Sequence, residues 1–131
     1  MLIAILTAAA MLTSDSAPQQ FDLLCTGLQD FSKRRPEAKD DIRFRVDLKN
    51  RRYCLSTCRD TRVLNVYPQH LAFDETDAML GGSRLQTRMS VDRMTGAYTS
   101  IAYMSGRLME DTKGQCSVQP YTGPVLGERL F

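Results

Sequence analysis

Cys54-Leu55-Ser56-Thr57-Cys58 places two cysteines three residues apart, directly after Arg51-Arg52-Tyr53, in a chain of 131 residues that holds four cysteines. Cysteines at such a spacing can clasp a metal, run a dithiol redox cycle, or close a disulfide. A structural zinc site takes four ligands, and the other candidates here are only Cys25, Cys116 and the single His70. Dithiol oxidoreductases keep two intervening residues at a helix start in an α/β fold, whereas this stretch has three and lies among strand patterns. A disulfide across a three-residue hairpin loop meets neither objection. The spacing therefore predicts a Cys54–Cys58 bridge, and of the connectivities open to four cysteines the expected partner bridge is Cys25–Cys116, first strand to last.

The remaining reactive residue types are scattered. His70 follows Pro68-Gln69 in an expected turn, and no Ser-His-Asp or Cys-His arrangement can be assembled without it. No catalytic residue is therefore nominated, and an enzyme is the least favoured class. Carboxylates recur at Asp40-Asp41, Asp74-Glu75-Asp77 and Glu110-Asp111, but none has the twelve-residue ligand spacing of a calcium-binding EF-hand loop. Gly81-Gly82 lacks the following Lys-Ser of a phosphate cradle. Neither a metal nor a cofactor is expected. One constellation does suggest binding: Arg43, Arg45, Arg84 and Arg88 occupy the polar sides of two strand patterns. If those strands adjoin, four guanidinium groups line one surface suited to carboxylate or phosphate; if not, they are a solvated face tempered by Asp47 and Asp92.

Alternation with period two dominates after residue 20, and it predicts strands rather than helices. Ile42-Arg43-Phe44-Arg45-Val46-Asp47-Leu48 sets four apolar residues on one face and Arg, Arg, Asp on the other. Arg84 to Asp92 repeats the pattern, Asp92-Arg93-Met94-Thr95-Gly96 turns the chain, and Ala97 to Met104 is its partner strand. Shorter strands are expected at Phe21–Cys25, Val63–Tyr67, Leu71–Phe73, Leu108–Met109 and Gly114–Val118. Lys33–Asp41 reads as a loop or one helical turn, Asp74–Ser83 as a second loop, and the tail after Pro120 as irregular apart from a docked Phe131. The sum is an all-β domain, an antiparallel meander of about seven or eight strands, curled into a barrel or folded as a small sandwich and held by disulfides.

With 43% apolar and 24% charged residues the chain is of globular type, and its net charge of +2 gives no reason to expect nucleic acid as a partner. Residues 2–12 form an apolar run broken only by Thr7, too short to span a bilayer and of the length of a signal-peptide core. It lacks the usual preceding basic residue. Small residues at Ser14 and Ser16 predict a signal peptide over residues 1–16 and a mature domain over 17–131, with no membrane span in the latter. An even cysteine count in an exported protein agrees with pairing.

Four segments also carry a resemblance: Phe21-Asp22-Leu23-Leu24-Cys25-Thr26-Gly27; Ile42 to Leu48 followed by Arg52-Tyr53-Cys54 and Cys58; Asp92 to Tyr98; and Gly114-Gln115-Cys116-Ser117-Val118. Together they resemble small secreted proteins of Gram-negative bacteria, which implies a periplasmic or secreted β-domain and no reaction. The opening Cys-x-Gly strand is also similar to that of periplasmic lysozyme inhibitors of the membrane-bound C-type family. Their inhibitory Ser-Gly loop has only distant counterparts here, in Ser105-Gly106-Arg107 and Thr95-Gly96-Ala97-Tyr98, so no residue's role is transferred. The expectation is a non-enzymatic binding or inhibitor module for an envelope or secreted partner. The alternative is a small-ligand carrier of calycin style, with Met89, Tyr98, Tyr103 and Met104 as interior lining.

Overall fold

The computed structural model describes residues 18–123, so the expected signal peptide and the docked Phe131 lie outside the described residues. Ten strands follow in order: β1 (Gln20–Asp30), β2 (Glu37–Ala38), β3 (Ile42–Asp47), β4 (Arg52–Leu55), β5 (Arg62–Val63), β6 (Asn65–Val66), β7 (His70–Leu80), β8 (Ser83–Asp92), β9 (Ala97–Met104) and β10 (Arg107–Gln119). They make one antiparallel sheet in the order β5-β4-β3-β1-β10-β9-β8-β7-β6, with β2 appended to β1. The two ends of that order, β5 and β6, are halves of one short segment separated only by Leu64. The meander thus curls on itself into a nearly closed barrel, which disposes of most sheet edge. Counting β5 and β6 together and setting β2 aside leaves eight strands, in line with the sequence pattern.

Alternation sets the inside of the barrel. Phe44 and Val46 of β3 are fully buried, and their neighbours Arg43 and Arg45 point out. Phe21, Leu23, Leu28, Leu71, Phe73, Val91 and Tyr98 join them in one core. At its centre Phe44 stacks on Phe73 with ring centroids 4.1 Å apart, and Tyr53 meets Phe73 edge-on at 4.9 Å. The Tyr53 hydroxyl donates to the Phe73 carbonyl, tying β4 to β7 across the gap filled only by the two-residue strands β5 and β6.

Both disulfides form. Cys25 and Cys116 are directly opposed in the β1–β10 pair, with Cα atoms 3.9 Å apart. The Cys116 N–H is spent on the Gly96 carbonyl of the other side, so the opposed cysteines form a non-hydrogen-bonded pair, the closer of the two antiparallel kinds. Cys54 bonds Cys58, and all four cysteines are used. The geometry of that second bridge differs from a hairpin loop. Cys54 pairs with Arg45 across β3–β4, whereas Cys58 lies beyond the strand in a tight turn, its N–H bonded to the Leu55 carbonyl and its φ at 49°. Two disulfides are consistent with an oxidising compartment.

Several expected boundaries move. Asp74–Ser83 is not a loop: β7 runs on to Leu80 and pairs with β8 through Leu80 and Ser83. Its acids are matched locally, Asp74 accepting from the Thr76 and Thr87 hydroxyls at 2.6 and 2.9 Å and Asp77 pairing with Arg84. Gly81-Gly82, with φ of 55° and 84°, and Ser105-Gly106, with 48° and 80°, make two-residue turns with both central residues at positive φ, the twist that hairpins prefer. Leu108–Met109 and Gly114–Val118 are parts of the single strand β10. Val63–Tyr67 is broken at Leu64, which turns inward. Phe21–Cys25 is the start of an eleven-residue strand, and the charged Lys33–Asp41 segment contributes β2 rather than a helical turn.

Asp30 anchors the β1–β2 reversal. The Ser32 and Asp111 N–H groups donate to its carboxylate at 2.9 and 3.1 Å, and the carboxyl is held down to about 2 against an ordinary 3.8. A depressed carboxyl gives stability that is complete above its unfolded value and lost as pH falls through its folded value. Thermal stability is therefore expected to decline as pH drops from 3.8 toward about 2, and more shallowly in Asp30→Asn. Scanning calorimetry across that range checks it; identical pH profiles would remove Asp30 as a cause.

Candidate functional site

The inward side chains at one end of the barrel stop short of its rim. Phe21 and Leu23 from β1, Leu71 from β7, Val91 from β8 and Cys116 and Val118 from β10 surround an open mouth, joined by Pro18, Leu48 and the β8–β9 turn Asp92–Gly96. The cavity measures about 380 Å³, within the range of small-ligand pockets. Phe21, Leu23, Leu71, Val91 and Cys116 also belong to the packed core, so the space opens onto the end of a filled interior.

Local sequence accounts for the shape of the rim. The Asp92 carboxylate accepts from the Thr95 and Met94 N–H groups, at 2.9 and 2.8 Å, which closes the turn and holds its carboxyl below the ordinary value. Gly96 sits at φ 77°, and a Cβ there would meet the Cys116 carbonyl oxygen at 2.5 Å, so only glycine lets the turn approach β10 this closely. Arg93 is committed as well, its guanidinium donating to the Tyr67 carbonyl at 3.0 Å. Met94 is left at the turn apex, 86% exposed. The two charged residues of the rim are thus already bonded within the protein. What the mouth offers is apolar wall, on which full burial of one leucine- or phenylalanine-sized group gives about 1.5–3 kcal/mol.

The arginines nominated from sequence do not meet. Three strands, β1, β10 and β9, separate β3 from β8 in the sheet order, so Arg43 and Arg45 stand on a different side of the barrel from Arg84 and Arg88. Arg43 pairs with the fully buried Asp22 at 2.8 Å and also reaches Gln119 at 3.1 Å. Burial pushes the Asp22 carboxyl up, but hydrogen bonds from Thr122 and Arg43 together outweigh it and hold the group below its ordinary value. Arg45 donates to the Thr122 carbonyl, so this pair pins the chain beyond β10 against the outside of β1 and β3. Arg84 makes a two-pronged contact with Asp77 at 2.9 and 2.7 Å. Arg88 lies 2.9 Å from the His70 ring, itself stacked on Tyr67 at 4.5 Å. These are four separate tasks, each with a partner inside the protein.

The other nominated groups are also dispersed. Asp74 faces inward while Glu75 faces outward to accept from Asn65 and Tyr67. Among the described residues no group of three His, Cys, Asp or Glu side chains is placed to hold a metal ion. Of the expected interior lining, Tyr98 is core, Met89 packs against the core, and Tyr103 points out. The residues that do line the mouth were legible as strand and turn residues but not as a site. Their signal in sequence is the same alternation that marks the core.

No protein-family model, curated protein or solved structure matches this chain.

Proposed function

We propose that this protein is an exported, non-enzymatic binding module, periplasmic or secreted, that receives an apolar side chain of an envelope or secreted protein in the mouth of its barrel. The observation that carries the reading is the open apolar mouth above a filled core, with its charged rim residues bonded internally. An apolar knob entering such a socket loses water on all sides, which is how interface anchors act. The apolar run before residue 17 supports export, and the disulfides are in keeping with it. A second reading, a carrier of a small apolar molecule, is favoured by the size of the cavity.

A photo-crosslinking residue at Met94, installed in the exporting cell, tests the proposal. A discrete protein adduct is expected from Met94, absent when the same residue replaces Lys39 and lost when Val118→Asp places a charge in the wall. No protein adduct, together with a small molecule retained in native mass spectrometry of wild type and released by Val118→Asp, would favour the carrier. Neither adduct nor retained molecule would sink both.

A further inference from the structure

Three chain reversals crowd the end of the barrel opposite the mouth: the β7–β8 tip at Gly81-Gly82, the β9–β10 tip at Ser105-Gly106, and the β1–β2 connection between Asp30 and Glu37. The first two are laced together. The Arg84 N–H donates to the Ser105 hydroxyl at 3.2 Å, and the Ser105 N–H to the Arg84 carbonyl at 2.7 Å. The third is tied in by the Ser32 hydroxyl, which donates to the Met109 carbonyl at 3.3 Å. Backbone polar groups at these tips are therefore largely satisfied within the protein.

Large apolar side chains gather here without cover. Met79 is 64% exposed, Leu80 54%, Met109 53% and Leu108 39%. Such a concentration at one end of a small protein marks an interaction surface. Beside it stand Arg34, Arg35 and Arg107, all exposed and in no ion pair among the described residues. Lys33 and Arg84 add charge but are matched by Glu37 and Asp77. Asp40 and Asp41 sit back toward the barrel, beyond Lys39, whose N–H is bonded to the Leu28 carbonyl. Glu110 and Asp111, which follow Met109, are half-buried, and Glu110 accepts from the Thr112 hydroxyl at 3.0 Å. The exposed charges around the apolar tips are therefore mostly cationic.

We propose that this end docks on an anionic lipid bilayer, Met79, Leu80, Leu108 and Met109 entering the interfacial layer while Arg34, Arg35 and Arg107 meet headgroup phosphates. The form of the surface selects a bilayer over a protein. Met79 and Leu80 are consecutive in a strand and point to opposite faces of the ribbon, so no single rigid surface covers both, whereas an acyl layer closes round them. Unbranched methionine side chains conform readily to such a layer. The contact is peripheral, combining apolar insertion with a basic collar as surface-bound segments do. Since β8 spans ten residues between the tips and the mouth, docking holds the mouth roughly 30 Å from the lipid and facing away. Docking of the tips does not require the mouth to be occupied.

Co-sedimentation of the mature protein with phosphatidylglycerol-containing vesicles, against pure phosphatidylcholine vesicles, tests it. Binding is expected to the anionic vesicles only and to weaken with salt. Leu80→Ser should weaken it on the order of tenfold, and neutralising Arg34, Arg35 and Arg107 to glutamine about fivefold per residue. Met94→Ser at the far end should leave it unchanged. The chain contains no tryptophan, so Leu80→Trp supplies a single reporter whose emission should shift to the blue on anionic vesicles, while that of Met94→Trp should not. Absence of binding, equal binding to neutral vesicles, or wild-type binding by Leu80→Ser would overturn the proposal. So would a Leu80→Trp emission that ignores vesicles but shifts with the exported protein fraction, which would assign the tips to a protein partner.

Discussion

Removing the Cys25–Cys116 bridge, by replacing both cysteines with alanine, is expected to destabilise the protein by about 4.5 kcal/mol. Removing Cys54–Cys58 in the same way should cost about 2. The two bonds close loops of very different size, with sequence separations of 91 and 4 residues. A crosslink acts largely by removing freedom from the unfolded chain, and a long loop has more to remove. Position adds to this. The long bridge staples β1 to β10, the seam at which the last strand of the meander returns to the first, so the reduced chain must close the barrel through ladder hydrogen bonds and packing alone. In a domain of this size each kcal/mol lowers the melting temperature by about 4 °C or more, so the long-bridge variant should melt well below the short-bridge one. Paired thermal scans decide it, and equal shifts would show that loop size does not govern the effect of the bridges here.

Phe44→Ala is the substitution within the core from which the largest loss is expected, about 3–5 kcal/mol. Phe44 is fully buried and touches three rings: Phe73 stacked at 4.1 Å, Tyr53 edge-on at 6.1 Å and Tyr98 at 6.2 Å. Those rings come from β4, β7 and β9 while Phe44 is on β3, so a single side chain couples opposite walls of the barrel. Truncation leaves a hole that the walls cannot close without breaking ladders, and it forfeits aromatic contacts beyond their buried area. Phe44→Leu, which keeps more of the volume, should cost clearly less. Urea unfolding midpoints at unchanged slope measure the difference. A small loss in Phe44→Ala would mean that the walls collapse inward and fill the hole.

Much of this architecture is written locally. The alternation in Ile42–Asp47, Ser83–Asp92 and Ala97–Met104 marks three strands and tells which residues face inward, because strand side chains alternate whatever lies beside them. Four cysteines in a chain with an exported pattern imply two bridges, and the connectivity chosen, first strand to last, is the one that forms. Asp74 to Leu80 misleads because three acids lower its intrinsic strand preference. That preference is overridden by Thr87 and Arg84, partners on the neighbouring strand that no local window contains.

The arginines mark the limit. Sequence alone determined that Arg43, Arg45, Arg84 and Arg88 point outward, since facing follows from period two. Only the tertiary structure decided that β1, β10 and β9 stand between the two pairs, because strand adjacency depends on which distant segments close the ring. The same holds for the mouth and the tips. Phe21, Leu71, Val91 and Val118 are distant along the chain and converge at the rim because the barrel curls, and Met79 and Met109 stand at one end because two hairpins reach past it. Local patterning sets what each side chain faces, and closure of the sheet sets what it faces it with.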